Sequence, residues 1–124
     1  MLQGNAKDNR IHRRFPVRWP VAIVFEGGQN REIFHGQTHD VSISGTCILT
    51  EHNIFTHDSI TLLLAVPPLN PAQKRQLIEV RGKMVYTVLS PKHDCFRIGI
   101  RFTGFKDDGE RFLSRAFEQR FELG

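Results

Sequence analysis

The sequence predicts a mostly β fold, in which six antiparallel strands close into a small barrel and one C-terminal α-helix packs against it. Three observations lead there. Apolar and polar residues alternate along most of the chain, the period of a strand that lays one face on a core. Clusters of Gly, Asn, Ser and Pro interrupt the alternation at short intervals, as turns between neighbouring antiparallel strands do. Only the last segment changes to the 3.6-residue period of a helix. An open sheet of six short strands would expose two edges, and closure removes them.

The elements follow in order. Residues 1–10 carry no apolar periodicity and read as a flexible lead-in to a single domain over residues 11–124. Val21, Ile23 and Phe25 alternate in a first strand, ended by Gly27-Gly28-Gln29-Asn30. Glu32 to Val41 is a second strand, expected to be interrupted at Gly36, and a third runs through Cys47, Ile48 and Leu49 after the turn chemistry of Ser42-Ile43-Ser44-Gly45. Ile60 to Val66 is apolar on both faces, which predicts a deeply buried strand. Asn70-Pro71 suits the start of a short helical turn through Gln76. Ile78, Val80, Gly82, Met84, Tyr86 and Val88 then share one expected core face, and Phe96, Ile98, Ile100 and Phe102 share another. Asp107 with Glu110 resembles a capping box, and Phe112, Leu113, Ala116, Phe117 and Phe121 fall on one side of the helix that follows.

Composition bounds the function. The 124 residues are 40% hydrophobic and 24% charged, ordinary for one globular domain, and ten phenylalanines supply a core. The N-terminus lacks the apolar run of a signal peptide, and the near-apolar stretch at residues 62–69 is too short to span a bilayer, so a cytoplasmic protein with no membrane insertion is expected. Cys47 and Cys95 stand far apart, without metal-ligand spacing, and read as structural thiols in a reducing compartment. The net charge of +4 has a location: Lys7, Arg10, Arg13, Arg14 and Arg18, against Asp8 alone, hold five of the seventeen basic residues and one of the thirteen acidic ones. The rest of the chain balances, so the surplus marks a local anion site rather than a generally basic surface.

Two segments carry chemistry: Arg13-Arg14-Phe15-Pro16-Val17-Arg18 and Asp40-Val41-Ser42-Ile43-Ser44-Gly45. Arginine offers a planar fork of donors for phosphate oxygens or for guanine O6 and N7, and it stacks on flat rings. A carboxylate accepts the N1–H and N2–H donors of a guanine edge. Gly45 permits a positive φ, and with it a sharp turn whose backbone N–H groups approach a phosphate. These residue types suit an anionic guanine nucleotide. The six histidines are scattered without zinc spacing, and nothing reads as a nucleophile beside its base, so neither a metal site nor an enzyme is expected.

Arg14-Phe15-Pro16-Val17-Arg18 resembles the RxxxR motif of PilZ domains, and Asp40-Val41-Ser42-Ile43-Ser44-Gly45 resembles their (D/N)xSxxG motif. The last two strands and the closing helix are similar too, so the likeness covers residues 10–121. It implies a PilZ-type barrel from a bacterium that binds the second messenger cyclic di-GMP as ligand, needs no cofactor and relays the signal to a protein partner. Arg14 and Arg18 would then meet phosphates and guanine, Asp40 a guanine edge, Ser42 would hydrogen-bond nearby, and Gly45 would shape the loop. Arg13, pointing away from Arg14 in an extended arm, would serve a second, self-stacked ligand. Two alternatives remain at this point: a nucleic-acid-binding OB-like barrel, against which the neutral body and the lack of exposed strand aromatics argue, and a PilZ interaction module that binds no nucleotide.

Overall fold

The structure is a computed structural model and describes residues 12–27 and 30–121; the lead-in over residues 1–10 and part of the first hairpin turn lie outside them. Six strands and one helix follow in sequence: β1 (Pro20–Phe25), β2 (Glu32–Val41), β3 (Gly45–Thr50), β4 (Ile60–Val66), β5 (Gln76–Ser90), β6 (Cys95–Phe105) and α1 (Gly109–Arg120). The strands close in the order β1-β2-β3-β6-β5-β4, with β4 returning to β1 and every pairing antiparallel. Closure satisfies both edges that an open sheet would leave.

Alternation fills the interior. Ile23, Val41, Ile48, Leu62, Leu64, Val80 and Ile98 point inward and are fully buried. As β4's composition predicts, both of its faces are covered, and only Leu63 is partly accessible. α1 packs on the barrel through Leu113, Ala116 and Phe117, which join the same core as Phe15 and Trp19. Burying side chains of this size stabilises the fold by ~1.5–3 kcal/mol each. Among the described residues no helix is long and apolar enough to cross a membrane. Both cysteines are free thiols, Cys47 buried and Cys95 half-buried.

Several local expectations give way to tertiary contacts. β2 is continuous through Gly36 rather than interrupted, because a Cβ there would stand 2.6 Å from the Leu49 carbonyl; the glycine lets β3 come close. Asn70 Oδ1 does accept from the Ala72 N–H at 3.0 Å, but the segment makes a turn and not a helix, since Gln76 is already in β5. The capping box does not form. Asp107 adopts a left-handed φ of 53° to swing the chain off β6, so Asp108 becomes the N-cap and makes no side-chain cap bond. Phe112 stays 41% exposed while Leu113, Ala116 and Phe117 are buried.

The core face expected along β5 ends at Met84. A bulge places Val85 between Met84, which pairs with Ile100, and Tyr86, which pairs with Gly99. The extra residue breaks the alternation, and Tyr86 and Val88 turn to the outer surface instead of the core.

Candidate functional site

A second bulge presents the site's carboxylate. Thr38 pairs with Ile48 and points inward, fully buried, whereas Asp40 pairs with Cys47, leaving His39 unpaired between them. In a regular strand Thr38 and Asp40 would share a face. The bulge turns Asp40 outward, onto the face where Tyr86 also stands, and returns Val41 to the core.

The arginine arm is fastened across this face by a two-residue bridge. The Phe15 N–H donates to the Val41 carbonyl at 2.8 Å, and the Val41 N–H donates to the Phe15 carbonyl at 2.9 Å. The Phe15 ring is 5% exposed and stacks on Phe117 with centroids 4.2 Å apart, with Phe121 at 4.7 Å. Farther along, Trp19 is buried, exchanges hydrogen bonds with Thr38 and continues the arm into β1. Sequence reading did not single out Phe15 or Trp19; both lie outside any periodic stretch, and their apolar bulk inside a basic cluster was the available signal.

Held so, Arg14 places its Nε 3.5 Å from Asp40 Oδ1. That oxygen is buried and has no hydrogen-bond donor among the described residues, while Oδ2 faces His39 Nδ1 at 3.3 Å. Arg97, from β6, likewise has a buried Nε without an acceptor among the described residues. A hydrogen bond to the Cys47 side chain, followed by the nearby Cys47, holds the Arg97 guanidinium charged above its ordinary range, with smaller help from Tyr86 and Asp40. One open acceptor and one open donor on a single face are what a ligand with both kinds of group would satisfy.

The loop after Asp40 is built around Ser42. Its Oγ accepts from the Ser44 and Gly45 N–H groups, each at 3.1 Å, and its own N–H donates to the Gly45 carbonyl at 2.8 Å. The hydroxyl is thus engaged in shaping the loop. Gly45 differs from its sequence expectation: its φ lies outside the left-handed region, and the glycine is required because a Cβ would stand 2.5 Å from the Ile100 carbonyl. Here close approach to β6, not a special turn angle, excludes other residues.

Arg14, Ser42, Ser44 and Gly45 line one side of a hollow of about 310 Å³, and Val85, Tyr86, Gly99 and Arg101 complete it. The Tyr86 ring lies over Gly99, so near that a Cβ on the glycine would come within 2.2 Å of it. The ring is 37% exposed, and burial raises the phenol's pKa above its usual value, assisted by Cys47. Tyr86 is therefore a neutral, flat platform at the wall of the hollow. It was missed because the alternation of β5, read without its bulge, puts it inside.

The remaining sequence candidates fall at the margins. Arg18 is exposed and lies on the side of His93, whose ring meets His39 with centroids 5.5 Å apart. Arg13 turns to the opposite side of the arm from Arg14. Its guanidinium sits 5.0 Å over the Phe15 ring, in a cleft shared with Ile43, Ser114 and Glu118. Among the described residues no group of three or more His, Cys, Asp or Glu could hold a metal ion.

Comparison with known proteins gives the fold a context. Bacillus subtilis MotI/DgrA, an inhibitor of motility, superposes with a TM-score of 0.72 at 16% identity, over 91% of this chain and 51% of that one. The PilZ domain of Escherichia coli YcgR with c-di-GMP gives 0.61 at 13% identity, over 94% of this chain and 100% of that one. The K. pneumonia MrkH–c-di-GMP complex gives 0.60 at 16% identity, over 90% and 51%. The chain thus spans about half the length of MotI/DgrA and of MrkH. No curated protein sequence matches it. The model of the PilZ domain, however, matches residues 8–119, and with RxxxR and DxSxxG segments bridged on the outside of a six-stranded barrel, the chain belongs to the PilZ domain family.

Proposed function

We propose that this chain is a cytoplasmic receptor that binds cyclic di-GMP on the outer face bearing Arg14, Asp40 and Tyr86, and passes the signal to a protein partner without catalysing a reaction. The Phe15–Val41 bridge carries the reading, because it holds the RxxxR arm against the DxSxxG loop. Two of the similar structures, YcgR and MrkH, are complexes with c-di-GMP, which supports the same ligand class here.

The roles follow from the chemistry. Arg14 and Arg18 take phosphate oxygens and guanine O6 and N7. Asp40 Oδ1 accepts from the guanine N1–H and N2–H edge, the Arg97 Nε–H donates to the ligand, and Tyr86 stacks on a base. Ser42 and Gly45 act as positioning residues that hold the loop close to β6. Arg13 leaves the Phe15 ring to serve a second, self-stacked ligand. Isothermal titration calorimetry with cyclic di-GMP and cyclic di-AMP tests the proposal. Saturable binding of the first and at least tenfold weaker binding of the second is expected, since adenine lacks the donor pair that Asp40 accepts and each lost pairing costs ~1–3 kcal/mol. Equal affinity for the two, or none for either, overturns it.

A further inference from the structure

A groove on the other flank of α1 is unrelated to the nucleotide face. Phe112, Arg115 and Gln119 line it, whereas Ser114, Phe117 and Glu118 face the Arg13 side of the helix. Its opposite wall is the loop that leaves β4. Pro67 and Pro68 have no N–H to continue the ladder, so the chain departs from the sheet after Val66 and passes beside the helix. Between the two walls lies a cavity of about 390 Å³, within the ~300–1,000 Å³ of small-molecule and peptide-anchor pockets.

The lining is both apolar and one-signed. Leu69 is 50% exposed and Phe112 41%, large apolar side chains left to solvent on facing walls. Among the described residues, the ionisable ones lining the groove are Lys74, Arg115 and Arg120, and none is a carboxylate. Among the described residues, none of the three is within ion-pair distance of an Asp or Glu. Arg120 is preset. It donates to the Pro67 carbonyl and, at 3.3 Å, to the Ala116 carbonyl, and lies 5.8 Å from the Trp19 ring, while burial lowers its pKa from the usual arginine range. Holding the fork in one place reduces the side-chain entropy lost when a partner binds.

We propose that this groove docks an acidic segment of a partner protein, one with an aromatic or aliphatic anchor between Asp and Glu residues. The anchor enters between Leu69 and Phe112, and the flanking carboxylates meet Lys74, Arg115 and Arg120. A neutral apolar segment would leave three cations partly desolvated without counter-charge, and a basic one would be repelled. The site is independent of the nucleotide reading, so the failure of either leaves the other standing.

Random peptides displayed on phage are panned against the full chain without nucleotide. Enrichment of sequences in which Asp or Glu flank Phe, Leu or Trp is expected, and a synthetic copy of the strongest binder should bind saturably and more weakly as salt rises. The charge-reversed double variant Lys74→Glu/Arg115→Glu, both residues exposed, should bind that peptide at least tenfold more weakly with an unchanged melting temperature. The proposal is overturned if no peptide is enriched, if the enriched peptides are neutral or basic, or if the double variant binds them undiminished. Displacement of the peptide by cyclic di-GMP would place it at the arginine arm and equally overturn it. So would a groove that instead retains a single-stranded oligonucleotide, or pairs two copies of the chain, and loses that property in the same variant.

Discussion

Gly99→Ala should damage nucleotide binding although it removes no polar group. The new Cβ would lie 2.2 Å from one Tyr86 ring carbon, with two more ring carbons at 2.6 and 2.8 Å. An ordinary contact begins near 3.4 Å, so the ring must move by at least roughly 1.2 Å. It can do so outward, because it is 37% exposed, and the folding cost should then stay within the ~0.5–3 kcal/mol of a typical substitution. An outward ring, however, occupies the hollow where a base would stack. Base–aromatic stacking is worth ~1–3 kcal/mol, so affinity for cyclic di-GMP should fall by about five- to 150-fold. Calorimetry on the parent, Gly99→Ala, Tyr86→Ala and the double variant forms a cycle. The alanine at 99 should cost little further affinity once Tyr86 is gone. Parent-like affinity in Gly99→Ala, or the same loss with and without Tyr86, would refute the platform.

Arg14→Lys and Arg18→Lys should each weaken cyclic di-GMP binding at least tenfold by calorimetry, since lysine keeps the charge but loses the fork and the stacking face; parent-like affinity in both would reduce the arginines to bulk charge. Arg13→Ala should lower the number of ligands bound per chain from two to one more than it lowers first-site affinity, and a parent that saturates at one ligand refutes that role. Phe15→Ala should destabilise the fold by ~3–5 kcal/mol in denaturant melts and also weaken nucleotide binding in the fraction that stays folded, with Phe15→Leu milder on both counts; undiminished affinity would show that Arg14 is placed without the ring. His93 is held below its ordinary pKa by desolvation first and then by His39, Arg18, Lys92 and Arg97. Between its folded and unfolded values the unfolded chain therefore binds more protons, so the His93 contribution to stability is full above about pH 6.5 and is lost as pH falls. His93→Gln should flatten the dependence of the melting temperature on pH below about 6.5, and an unchanged slope would assign it elsewhere.

The strands and helix were legible because burial imposes its period on sequence, as in the first half of β5, and because a short run apolar on both faces, as in β4, marks a strand covered on both sides. The bulges were not legible. Each inserts one residue, and alternation counted through His39 or Val85 returns the wrong face for Asp40 and Val41, or for Tyr86 and Val88. In β5 the error is masked because Tyr86 and Val88 are hydrophobic enough to pass for core, and in β2 because Thr38 and Asp40 are both polar. Close-approach glycines fail for a related reason. Gly36, Gly45 and Gly99 are dictated by atoms of Leu49, Ile100 and Tyr86, all distant in sequence, so the glycine is visible while its cause is not.

The candidate site was half legible for the same physical reason. Residue types name the chemistry, which is why Arg14, Arg18 and Asp40 could be singled out from the sequence; distance and facing depend on neighbours. Arg14 approaches Asp40 only because Phe15, an apolar residue between arginines, sinks its ring against Phe117 and pairs its backbone with Val41. Arg13 and Arg14, adjacent in the chain, consequently open on opposite sides of the arm, one over Phe15 and one toward Asp40. Local alternation foretells that divergence; the side on which each would land depended on the helix.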